Sequence, residues 1–112
     1  MEVWVSLVGG KFTILPDPAR VSVGTPVTWR FQTNGLTNPL VRWTVSFPTH
    51  SPFKSSLKEF TTTTQLSGGQ HAGATGAMAP DSPGDYKYDV RVEDARTQTQ
   101  LGNDDPHLIV TL

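Results

Sequence analysis

With 112 residues, 36% of them hydrophobic and 17% charged, the chain has the length of one domain and buries roughly 60–70% of its unfolded surface, enough for a core without staples. It contains no Cys, which excludes disulfides, thiol catalysis and thiolate-held zinc or copper. Nine Lys+Arg against ten Asp+Glu leave a formal charge of −1, too balanced for a field that gathers nucleic acid or an anionic membrane.

Residues 3–8 form the first apolar stretch, interrupted by Ser6, preceded by Glu2 and ended by Gly9-Gly10. A secretory leader needs a basic start and an apolar run of about 7–15 residues, and a membrane span needs about 20. The chain therefore reads as soluble, cytoplasmic or exported with its leader removed. Trp4 is out of phase with Val3, Val5 and Leu7. Either it faces outward near an edge, as a sugar platform or protein contact, or its strand is covered on both faces, since Val8 shares its side. The second placement is the one expected.

Further along, residues 12–15 and 20–23 are short strand candidates, separated by the turn Pro16-Asp17-Pro18. Residues 27–32 alternate, with Val27, Trp29 and Phe31 on one face and Thr28, Arg30 and Gln32 on the other. Residues 41–47 repeat the pattern: Val41, Trp43, Val45 and Phe47 oppose Arg42, Thr44 and Ser46. Trp29 and Trp43 are expected in the core. Phe53, in a Pro-bounded loop, is a candidate exposed anchor. Residues 59–63, leading into a run of four threonines at 61–64, predict an edge strand.

Residues 65–82 (QLSGGQHAGATGAMAPDS) hold four of the ten glycines and few large side chains. They predict a long loop, with at most a short strand or helical turn around 74–79. The cleanest alternation follows at 86–93, where Tyr86, Tyr88, Val90 and Val92 oppose Lys87, Asp89, Arg91 and Glu93. A loop at 95–103 then leads to a closing strand at 107–112. Eight or nine short strands with these turns predict an all-β Greek-key sandwich or barrel in a single domain over 1–112, without internal repeats. An immunoglobulin-like sandwich is the alternative topology.

Three segments, in this order, resemble the cupredoxin-like family: PARVSVGTPVTW at 18–29, PGDYKYDV at 83–90, and DPHLIVTL at 105–112. They correspond to the family's V-x-x-G-D-x-V-T-W opening of a core strand, its P-G-x-Y-x-Y-x-C strand and its apolar closing strand. The likeness covers roughly residues 12–112, matching only in spacing through the middle. It implies a cupredoxin-like sandwich. The family's known activity is electron transfer at a copper held by two His, one Cys and usually an axial Met, and that chemistry needs the thiolate. Here Val90 stands at the Cys position, Glu93 stands where a His often follows, and no His or Met lies in 90–103. The resemblance therefore implies the scaffold without type 1 copper.

Three histidines remain. His50 lies roughly where the family places its first histidine ligand. His71 lies in the Gly-rich stretch, with Met78 beyond it. His50 and His71 with Met78 could make a Cu or Ni site, since imidazole and thioether suit those metals; three scattered loop histidines are the plainer reading. His107 is expected to start a strand, donating to a backbone carbonyl or a neighbouring acid. Asp81, Asp85, Glu93, Asp94, Asp104 and Asp105 could serve as acid–base pairs or calcium ligands, but beside Gly and Pro such residues ordinarily close turns. There is no G-x-S-x-G elbow and no phosphate-binding Gly-Lys-Ser/Thr. The sequence thus assigns no catalytic, cofactor-binding or metal residue. It predicts a non-catalytic module that binds a protein partner or itself, with the edge at 59–64 one surface for it. The alternatives are the Cu/Ni-binding protein and, third, a carbohydrate-binding module using Trp4. A small-molecule ligand stays open.

Overall fold

A computed structural model describes residues 1–34, 40–53, 59–65 and 70–112; for residues 34, 62–65 and 70–78 the description covers the backbone. Eleven strands are described: β1 Glu2–Val8, β2 Lys11–Leu15, β3 Ala19–Ser22, β4 Val27–Asn34, β5 Leu40–Ser46, β6 Glu59–Gln65, β7 Gln70–Met78, β8 Gly84–Lys87, β9 Asp89–Asp94, β10 Gln100–Asp104 and β11 His107–Thr111. They form three sheets, ordered β2-β1-β4-β7, β10-β9-β5-β6 and β3-β11-β8. The pairs β1–β4 and β3–β11 are parallel and the others antiparallel. The chain is all-β, and among the described residues no helix is long and apolar enough to cross a membrane.

Alternation builds the interior, as the sequence predicts. Val3, Val5 and Leu7 of β1 are buried beside Val27, Trp29 and Phe31 of β4, while Val41, Trp43 and Val45 of β5 and Val90 and Val92 of β9 cover them from the second sheet. The faces meet through stacked rings, Phe31 on Trp43 at 4.5 Å and 11°. Trp29 sits among Phe47, Phe53, Phe60 and Tyr88, with centroid distances of 5.6–6.2 Å. The Trp29 indole N–H donates to the Tyr88 hydroxyl at 3.3 Å, so this aromatic group satisfies its own polar atoms. Burial pushes the Tyr88 phenol above its ordinary range.

Four expectations change. Residues 70–78 form a nine-residue strand that pairs along β4 from Asn34↔Gln70 to Val27↔Met78. Its small residues carry no apolar pattern, but the backbone ladder does not require one, so composition hid the strand. The alternating run 86–93 divides at Tyr88, with β8 in the sheet of β11 and β9 in the sheet of β5. Alternation passes through the division because Tyr88 stays buried, and its backbone N–H donates to Pro106 O at 3.0 Å. The expected loop 95–103 is a short turn followed by β10. Gly102 makes β10 possible there: a Cβ at this position would lie 2.7 Å from Phe12 Cδ1, so only glycine lets β10 pass so close to β2. Finally, Phe53 is buried instead of exposed, packed against Trp29, Phe47 and Phe60. Its loop is drawn in by the Asp81 N–H donating to Pro52 O at 2.8 Å.

Candidate functional site

Three places could carry a function: the position that the resemblance gives to copper, the end of the sandwich carrying His50, and the outward face carrying Trp4.

Val90 is fully buried near the start of β9, paired with Val45 on one side and, at the end of the β9–β10 ladder, with Asp104 on the other. β9 then continues to Asp94, where the chain reverses. Asp94 closes that reversal: its Oδ1 accepts the N–H groups of Arg96 at 2.9 Å and Thr97 at 3.3 Å, while its backbone N–H donates to Thr99 O. This is the Asx-type turn chemistry expected of these acids. Glu93 pairs with Arg42 across the ladder at 3.3 Å. The segment after Val90 is thus a β9–β10 hairpin. A type 1 copper needs a thiolate here, and a valine side chain in a chain without Cys offers no donor. The residues present do not fit that centre.

His50 lines a cleft of about 200 Å³ with Thr49, Asp85, Tyr86 and Lys87. Next to it, His107 Nδ1 lies 2.8 Å from Asp85 Oδ1, and the His107 backbone N–H donates to Asp17 Oδ1 at 3.1 Å. His107 therefore starts β11, as the sequence predicts, but on acids distant in sequence instead of a neighbouring one. Lys87 Nζ reaches Asp105 Oδ2 at 2.9 Å, and that bond holds the Asp105 carboxyl below its ordinary range. The Tyr86 hydroxyl donates to Ser82 O at 2.9 Å, tying down the turn before β8. The polar groups at this end are largely engaged with one another. Among the described residues no three His, Cys, Asp or Glu side chains gather as metal ligands.

His71 and Met78 of the Cu/Ni set named from sequence stand apart. His71 pairs with Thr33 and Met78 with Val27, at opposite ends of β7; at about 3.3 Å per residue they stand roughly 20 Å apart. The side chains of His71 and Met78 lie outside those described. A loop over 65–82 could bring the two together, whereas a strand holds them apart.

Trp4 is 42% exposed, correcting the expectation that both faces of its strand are covered. With Val3, Val5 and Leu7 turned inward, Trp4, Ser6 and Val8 take the outer side of the first sheet. Across that face Trp4 lies between Leu15 of β2 and Arg30 of β4, and Ser6 between Thr13 and Gln32. Arg30 Nε donates to Glu2 Oε1 at 2.6 Å, and Gln32 Nε2 donates to Ser6 Oγ at 2.7 Å. The phase of Trp4 was the available signal for this face; its cross-strand partners could not be read before the register was known.

No family model matches the chain, and no curated protein matches it. A solved structure of auracyanin B is similar at a TM-score of 0.50 and 13% identity, covering 100% of this chain and 88% of that one. At that identity the likeness speaks for architecture alone: the fold is cupredoxin-like.

Proposed function

We propose that this chain is a non-catalytic binding or assembly module, built on a cupredoxin-like sandwich and lacking type 1 copper. The observation that carries the reading is Val90, a fully buried apolar side chain paired with Val45 at the position that the resemblance gives to the copper thiolate. The hairpin beyond it, closed by Asp94, supports the same reading, because that segment makes ladder and turn bonds.

An assembly module needs an open surface. β6, the edge named from sequence, does end its sheet, but it runs beside β7. β3 ends the smallest sheet, next to a groove of about 410 Å³ lined by Met1, Arg20, Val21, Ser22, Thr25 and Thr111. An edge strand beside a groove suits the addition of a strand from a partner or a second copy.

Native mass spectrometry of the purified chain titrated with Cu(II) and Ni(II) tests the proposal. The expected result is no stoichiometric complex, with light scattering reading self-association over a range of concentrations. A retained one-to-one metal complex would overturn the reading. A strict monomer would remove self-assembly and leave partner binding.

A further inference from the structure

The outward face of β2-β1-β4-β7 pairs a large exposed ring with hydrogen-bonding groups held in place. Trp4 sits in the row Leu15–Trp4–Arg30, and Leu15 is 65% exposed. Trp4 is also the exposed tryptophan, since Trp29 and Trp43 are fully buried. Arg30 commits its Nε to Glu2, which fixes the guanidinium plane while a guanidinium keeps further N–H donors. Ser6 accepts from Gln32, leaving the serine O–H and the amide oxygen for another partner. On β7 the positions opposite Arg30 and Gln32 are Ala74 and Ala72, and Gly76 faces Thr28.

From this arrangement we infer that the face binds a neutral oligosaccharide, with the Trp4 indole taking the C–H face of a sugar ring and Arg30, Glu2, Gln32 and Ser6 its hydroxyls. An indole gives apolar contact area with little entropy to lose. The spare donors and acceptors around it would be costly to bury under an apolar partner, because each would be left unsatisfied. A ligand dense in hydroxyls satisfies them. The charge is right for a neutral ligand, since Glu2 and Arg30 cancel and Lys11 is the remaining ionic group on the described face. Such a face has no field to gather an anionic polymer. The inference rests on the binding-module reading and names its ligand class.

An array of neutral and acidic glycans probed with the full chain, followed by titration calorimetry on the best soluble oligosaccharide, tests it. Binding to a neutral glycan is expected, changing less than about twofold between low and high salt, because the ligand is uncharged and the charges beside Trp4, Glu2 and Arg30, are paired. Trp4→Ala should weaken it at least tenfold with no change in the thermal midpoint, and Trp4→Phe should restore part of the affinity. No binding to any neutral glycan would overturn the inference, as would equal affinity in Trp4→Ala or a steep salt dependence. Self-association lost in Trp4→Ala, without glycan binding, would assign the face to a second copy instead. A stoichiometric metal complex sinks the module reading itself, whereas glycan failure in a metal-free protein sinks only the ligand.

Discussion

Trp29 and Trp4 occupy neighbouring strands of one sheet, a single step apart in register: Val3 pairs with Trp29, and Trp4 with Arg30. That step turns one indole inward, fully buried among Phe47, Phe53, Phe60 and Tyr88, and the other outward, 42% exposed beside an ion pair. The residue type is the same and so is the sheet. Parity along the strand decides whether the ring stabilises the fold or stands free for a ligand.

The comparison breaks most readily at Trp29. Trp29→Ala should cost about 3–5 kcal/mol, the range for emptying a large aromatic site in a packed core, and a denaturant midpoint close to the parent's would contradict the burial described. Gly102→Val comes next. It puts a side chain where Phe12 already stands, so overpacking should cost about 1–3 kcal/mol with a lower thermal midpoint. A smaller effect is expected at Tyr88, where Phe removes the hydroxyl that accepts from Trp29 at about 1 kcal/mol. Because the folded phenol titrates above its unfolded value, its contribution is full below about pH 10 and is lost as pH rises beyond that. Tyr88→Phe should therefore flatten the alkaline fall in stability, and an unchanged slope would assign that fall to other groups. Smallest of all, Trp4→Ala should move stability by no more than about 0.5 kcal/mol, while acrylamide should quench the parent more than this variant.

Much of the fold was legible because its strands advertise themselves. The alternation at 27–32 and 41–47 located β4, β5 and the core tryptophans, and the ordered motifs at 18–29, 83–90 and 105–112 anticipated the cupredoxin-like arrangement that the structure carries. What stayed hidden shares one physical cause: it depends on partners distant in sequence. β7 is a strand because β4 offers it a ladder, and β10 follows β9 because Gly102 can pass under Phe12. Phe53 is buried because Pro52 is held by Asp81. The site divides the same way. Val90 was readable against the family motif, whereas the separation of His71 from Met78 and the row Leu15–Trp4–Arg30 emerged only with register.

Returning the missing donor tests the proposed loss of the copper centre. Cys is close to Val in size and buries readily, so Val90→Cys should fold as the parent does. Titrated with Cu(II), it should form no one-to-one complex with intense thiolate-to-copper absorption, because the hairpin after β9 supplies no His or Met to complete the set. A stoichiometric complex with that absorption would overturn the proposal, since it would mean that the remaining ligands still converge on position 90.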